Sequence, residues 1–258
     1  MNTPLNNTSF FLDLRNKTLV SDYNKFILNR LAIVVSPHHD DESIGMAGTI
    51  ARLIDYGFNV YILYVTSEKL DLKSGTNPLN RKAETIAAVS VLGVNTIDNI
   101  SFLDFEDGNL KEFSLNYSKS VEILKSKIHS IEFKNGVIDQ NGNNLNQGNT
   151  LVLTTSRYDA HRDHEETFNM IKNALRKRII LEFPTVNHMA SCYVPNCIID
   201  ISDFFFLKEK ALKNYTGEIK KNRILWDDIF ALDELTGKKI NVDYAESCFI
   251  SWYGLLTN

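Results

Sequence analysis

At 258 residues, with 43% apolar and 23% charged side chains, the chain is long enough for one large core and has the balance of a globular protein. A net charge of −4 gives no reason to expect nucleic acid or an anionic membrane surface as partner, and no apolar run approaches the ~18 residues of a membrane span. Cys192, Cys197 and Cys248 are too few and too irregular for a disulfide framework or a Cys-rich zinc knot, and Met1–Thr8 lacks the basic start and apolar core of a signal peptide, so a cytoplasmic protein with reduced thiols is expected.

Leu31–Ser36 is a continuous β-branched and apolar run, the pattern of a parallel strand covered on both faces. It ends abruptly at Pro37, and His38, His39, Asp40, Asp41 and Glu42 follow without a break. Ile44–Tyr56 has helical periodicity and stops at Gly57; Asn59–Thr66 reads as the next strand. Ser67–Asn80 has the composition of a loop and is long enough to be functional. Arg81–Leu92 is a helix closed by Gly93, Ile100–Leu103 a short strand, and Asp104–Asn109 an acidic turn. Tyr117–Phe133 follows as a helix, and Asn135–Asn149 as a surface loop or hairpin. Thr150–Thr155 is a strand that runs into a second cluster, Asp159, His161, Asp163, His164 and Glu165. His164–Arg178 reads as a helix and Ile179–Phe183 as a strand, and beyond Pro184 the pattern weakens.

Alternating strands and helices imply an α/β fold: a Rossmann-like, mostly parallel sheet with helices on both faces and right-handed crossovers. A single α/β domain is expected over residues 1–258, its core at about 30–184 and a C-terminal elaboration at 185–258 that shapes a pocket. No Gly-x-Gly-x-x-Gly follows the first strand, which disfavours a dinucleotide enzyme.

In open α/β sheets ligands gather outside the carboxyl ends of the strands, where both clusters fall. Taken alone, Asp40-Asp41-Glu42 would suit an acidic helix N-terminus. Adjacent like charges after a buried strand also repel and call for a compensating cation. Catalytic zinc takes three protein ligands and keeps a place for water. His38 and Asp41 share one side of a tight turn, and His161 and His164 repeat that spacing. A metal held by His38, Asp41 and His164 would leave Asp40 and His161, the right types to take a proton from water and to stabilise or protonate the other end of the reacting bond. The two clusters together point to a metallohydrolase.

Pro37-His-His-Asp-Asp-Glu42 and His161-Arg-Asp-His164, with Arg81, Glu84, Ala88, Leu92 and Gly93, Asp107-Gly-Asn-Leu110 and Tyr244-Ala-Glu246, resemble the PIG-L/LmbE-like zinc de-N-acetylases. The resemblance covers roughly residues 30–250. It implies one zinc held by His38, Asp41 and His164, Asp40 as general base, and His161 steadying the oxyanion or protonating the leaving amine. It further implies removal of an N-acetyl group from an N-acetylated amino sugar in a glycoconjugate or sugar nucleotide, by attack of zinc-activated water with release of acetate. Arg81, Asp107 and His188 are the candidate substrate contacts, although Arg81 could equally be an exposed helix residue. Two positions depart from the family pattern. His39 stands where Pro is usual, giving a less rigid turn and a competing ligand, and Arg162 replaces another common Pro. Glu42 is expected to support the site or cap a helix. The alternatives are a zinc amidohydrolase or esterase on a non-sugar acyl substrate, or a non-catalytic metal-binding protein of the same fold.

Overall fold

A computed structural model describes residues 30–67, 77–108, 110, 117–143, 150–175, 178–185, 193–220 and 226–253. Among the described residues seven strands form one sheet: β1 (Leu31–Ser36), β2 (Asn59–Ser67), β3 (Ile100–Glu106), β4 (Leu151–Thr155), β5 (Arg178–Phe183), β6 (Cys197–Asp200) and β7 (Ala245–Tyr253), in the spatial order β3-β2-β1-β4-β5-β7-β6. Neighbouring strands from β3 through β5 pair in parallel, and β7 lies antiparallel to both β5 and β6. The fold is therefore α/β with a mostly parallel sheet. Chain order runs outward through β2 and β3 on one side of β1 and through β4 and β5 on the other. The crevice between the carboxyl ends of β1 and β4 is thus a topological switch point, where such sheets bind ligands.

β1 is apolar throughout because each of its faces feeds a separate core. Ala32 and Val34 pack with Ile62, Leu153 and Leu181, while Leu31, Ile33 and Val35 pack with Leu63, Val152 and Ile180. The first core is closed by α2 (Ala47–Asp55), α3 (Pro78–Val91), α6 (Phe205–Leu212) and α8 (Trp226–Lys238), through Ile50, Val89, Leu212 and Ile229. The second is closed by α4 (Tyr117–Lys134) and α5 (Arg162–Ala174), through Leu124, Ile128, Phe168 and Ile171. Each such side chain contributes about 1.5–3 kcal/mol of burial, enough for the sheet to be a rigid platform under its loops. Among the described residues no helix is long and apolar enough to cross a membrane.

The expected strands and helices are present up to β5, with shifted ends; residues 68–76 of the expected loop Ser67–Asn80 lie outside the described residues. The single helix expected over Ile44–Tyr56 is two: α1 (Asp41–Gly45) and α2, separated by Met46 at φ −144. The break has a long-range cause. The buried carboxylate of Glu246 on β7 accepts from Gly48 N (3.0 Å), Thr49 N (2.8 Å) and Thr49 Oγ1 (2.6 Å), and so caps a fresh helix N-terminus. Gly48 is required there because a Cβ would lie 2.6 Å from Ile201. Gly57 and Gly93 close α2 and α3 at φ 79 and 103, where a side chain would be strained. α3 begins earlier than expected, with Asn77 as its cap and Pro78 in its first turn. The described part of the Asn-rich loop is a turn in which Asp139 accepts from Asn141 N and Asn143 N, both at 2.8 Å; residues 144–149 lie outside the described residues. β6, α6, α7 (Thr216–Lys220), α8 and β7 occupy the stretch after Pro184 where the sequence pattern is weak.

Candidate metal centre and active site

The loop leaving β1 is fixed from several sides. Thr66 on β2 donates both its N–H (2.9 Å) and Oγ1 (2.8 Å) to Pro37 O, and Ser36 Oγ donates to His38 O at 2.8 Å. Asp41 Oδ2 accepts the His38 N–H at 2.9 Å, which folds the two side chains onto one side of the turn. The loop leaving β4 brings His161, which caps α5, and His164 in the first turn of that helix.

These two loops converge on a triangle. His38 Nδ1, Asp41 Oδ2 and His164 Nε2 are each 3.1 Å from the other two. A tetrahedral zinc with bonds of about 2.0–2.1 Å spaces its ligands about 3.3 Å apart, so two imidazoles and one carboxylate at this separation fit the ion in both type and size. The charges agree with that fit. Burial is the largest influence on all three groups and opposes their charged forms, yet the cluster overrides it. Asp41 holds the pKa of His38 well above the ordinary histidine value, helped by Asp107 and Asp163. With Asp159, it lifts His164 to about 9. Both rings in turn hold Asp41 well below the usual carboxylate range. The rings take up protons where a divalent cation would sit.

Carboxylates stand behind both histidines. His164 Nδ1 is 2.9 Å from Asp159 Oδ2, and Asp159 is itself fixed by Thr185 Oγ1 (2.5 Å) and His161 N (2.9 Å). His38 Nε2 faces Asp107 Oδ1 at 3.1 Å and Asp163 Oδ2 at 3.3 Å, and Asp163 also accepts from Gly108 N at 2.7 Å. Carboxylates in this position set the tautomer of a ligating histidine. Asp107 arrives there by way of a bulge in β3, where pairing slips between Tyr64/Phe102 and Thr66/Phe105. The residue at positive φ in that bulge, Asp104, is held by Ser67 Oγ and Lys82 Nζ, both at 2.6 Å. The hydrogen bond from His38 chiefly draws the Asp107 carboxyl down to about 2.

Asp40 and His161 complete the cluster. Burial raises the pKa of Asp40 against the opposing pull of Arg81, whose Nη2 donates to Asp40 Oδ2 at 3.1 Å. The His161 ring stands edge-on to His38 with centroids 4.7 Å apart, and it offers a nitrogen within 4.8 Å of those of His38 and His164. Burial, and then the neighbouring histidines, lower its pKa. Its Nδ1 accepts from Asp163 N at 3.3 Å, so the neutral ring carries its proton on Nε2 as a donor.

His39 does not join the triangle. Its Nδ1 lies 3.1 Å from Thr85 Oγ1 and its Nε2 3.4 Å from Ser67 Oγ, and its ring stacks on Phe102 with centroids 5.2 Å apart. Burial and the charges of Arg81 and Lys82 depress it to about 4. Glu42 is buried and accepts from Tyr215 (2.5 Å) and Ser43 (2.7 Å); burial pushes its carboxyl up to about 7. Arg81 is 8% exposed, which corrects its alternative reading as an exposed helix residue. His188 lies outside the described residues. Asp159 and Asp163 were not singled out from sequence, although both belong to the cluster that carries His161 and His164; their spacing alone does not say which imidazole each one faces.

The sequence matches the family model described as PIG-L, GlcNAc-PI de-N-acetylase, over residues 33–175, more than half of the chain. Diacetylchitobiose deacetylase of Thermococcus kodakarensis is 25% identical over 214 residues, covering 76% of this chain and 72% of that protein. Among solved structures, the zinc-inhibited form of teicoplanin deacetylase Orf2 superposes with a TM-score of 0.63 at 16% identity, over 88% of this chain and 100% of that one. GalB, the 4-carboxy-2-hydroxymuconate hydratase of Pseudomonas putida KT2440, superposes with a TM-score of 0.65, also at 16% identity, over 88% of this chain and 98% of that one. At such identities the two structures share the fold alone.

Proposed function

The chain belongs to the PIG-L family of GlcNAc-PI de-N-acetylases, and from that premise we propose that it is a zinc-dependent hydrolase removing the acetyl group from an N-acetylated amino sugar. The substrate class follows the family and the diacetylchitobiose deacetylase relative, and takes in glycoconjugates and sugar nucleotides. The observation that carries the metal is the 3.1 Å triangle of His38 Nδ1, Asp41 Oδ2 and His164 Nε2.

In this reading those three residues hold the ion. Zinc bound there supplies Lewis acidity, drawing the pKa of a water from about 15.7 toward ~7 and polarising the acetamide carbonyl. Asp40 takes the proton from the attacking water, and the burial that raises its pKa strengthens it as an acceptor. His161, neutral and protonated on Nε2, donates to the carbonyl oxygen as negative charge builds on it. Asp40 passes the proton it took from the water to the amide nitrogen, which lets the amine depart, and acetate and a free amine result. In the same reading Asp107, whose side chain is 34% exposed beside His38, accepts from a sugar hydroxyl.

The test is acetate release from a panel of N-acetylglucosamine conjugates by metal-free protein, repeated after zinc is added. Zinc-dependent acetate from at least one member is the expected result. Turnover of simple acyl amides alone would move the assignment to a non-sugar amidohydrolase, and no release despite bound zinc would sink the hydrolase reading for this panel.

A further inference from the structure

Four consecutive residues of the C-terminal part reach back to α1 and α3, around the pair Arg81–Asp40. Tyr215, wholly buried, donates its hydroxyl to Glu42 Oε1 at 2.5 Å. Thr216 Oγ1 and Gly217 N both donate to Glu84 Oε1, at 2.5 and 3.0 Å. Glu218, 2% exposed, places Oε1 3.6 Å from Arg81 Nη2. That same nitrogen holds Asp40 Oδ2 at 3.1 Å, while Arg81 Nη1 stands 3.8 Å from Glu84 Oε2. The guanidinium lies over the Tyr215 ring, 5.4 Å from its centroid.

On the reading that Asp40 is the general base, we propose that the turn from α6 into α7, Tyr215–Glu218, is a positioning element for the reaction: it immobilises Arg81, and Arg81 fixes the orientation of Asp40. The physical case is one of freedom removed. Arginine has a long, flexible stem, and one contact with Asp40 would leave both side chains free to swing together. Here the planar guanidinium is bracketed by three carboxylates and an aromatic ring, and the turn supplies Glu218 and Tyr215 directly and holds Glu84 in place. A buried cation is stable only with such partners, and here Asp40, Glu84 and Glu218 share its charge at 3.1, 3.8 and 3.6 Å. A contact made for substrate would instead turn the guanidinium toward the open crevice, whereas Arg81 is 8% exposed and its Nη2 lies between Asp40 and Glu218.

Glu218 and Arg81 are thus positioning residues, tested by steady-state kinetics of the zinc-loaded Glu218→Gln variant. A displacement of about 1 Å in a reacting group costs up to ~10²-fold, so kcat is expected to fall roughly tenfold with KM and zinc affinity unchanged. Arg81→Gln should lose at least as much, and adding Glu218→Gln to it should lose nothing more. Thr216→Val, at the exposed edge of the turn, should show the same signature at roughly threefold, and it covers the case in which Glu218→Gln does not fold. A rise in KM at constant kcat, or independent losses in the double variant, would overturn the relay. A crystal structure of Glu218→Gln gives a readout independent of activity. Arg81 swung away from Asp40 supports the proposal, and an unmoved Arg81–Asp40 pair refutes it. Absence of acetate from the wild type would count against the proposed function alone, leaving the structural readout to decide the positioning role.

Discussion

The loops after β1 and β4 meet at one triangle, but they are held in place differently. After β1, Asp40 is held by Arg81, His39 by Thr85 and Glu42 by Tyr215, partners 41, 46 and 173 residues away. After β4, Asp159 accepts the N–H of His161 two residues on and backs the ring of His164 in the helix that follows, with Thr185 its more distant partner. The β4 loop carries its own scaffold, whereas the β1 loop borrows its scaffold from α3 and from the turn beyond α6. Damage far away in sequence should therefore reach the proposed base, while the His164 corner of the triangle should be weakened from close by.

Asp40→Asn should bring the largest change. Removing a general base costs typically 10²–10⁴-fold, so kcat should drop by about that much with zinc still bound, checked by kinetics beside metal analysis. Near-normal turnover would break the division of labour between the two loops. Asp159→Ala comes next. Loss of a carboxylate behind a ligating histidine typically weakens metal binding by about 10–100-fold, measurable by competition with a chelator, whereas Arg81→Gln should leave zinc affinity where it was. Equal effects of the two changes on zinc would erase the contrast.

Stability against pH sharpens the β1 side further. Burial raises the Glu42 carboxyl from its ordinary 4.5 to about 7, so the folded state binds the proton more tightly than the unfolded one. Its contribution to stability therefore falls as pH rises from about 4.5 to about 7 and then levels off, by roughly 3 kcal/mol at most. Urea unfolding of metal-free protein at pH 5 and pH 8 should show Glu42→Gln gaining on the wild type by about 1–3 kcal/mol between the two pH values. A constant difference would remove Glu42 as the cause. The smallest effect is expected at His39, whose ring contacts replace the rigidity of the proline usual in the resembled motif. His39→Ala should lower kcat by about threefold to tenfold, and His39→Pro should lower it less. Equal losses would mean that the turn does not need to be stiff.

The parallel half of the fold is legible in the sequence because each of its elements advertises itself locally. β1 is an unbroken apolar run, and Gly57 and Gly93 stop their helices at positive φ. Convergence of His38, Asp41 and His164 is legible for a related reason: both loops leave strands of one parallel sheet, so the clusters emerge at the same edge. What is not legible depends on partners remote in sequence. Met46 breaks the helix because Glu246, nearly two hundred residues on, caps Gly48 and Thr49 (197 positions separate the last pair). β6 and β7 pair antiparallel, and no periodicity before them reveals the partner. The pairing of Arg81 with Asp40 could not be found by spacing, since the stem of Arg81 crosses from α3 to the β1 loop.

Calorimetric titration of metal-free protein with zinc, wild type beside His38→Ala and His164→Ala, tests most directly whether the two loops build one metal site. One tight site per wild-type chain, lost in each variant, is the expected result. Tight stoichiometric zinc retained by either variant, or no zinc bound by the wild type, would contradict it.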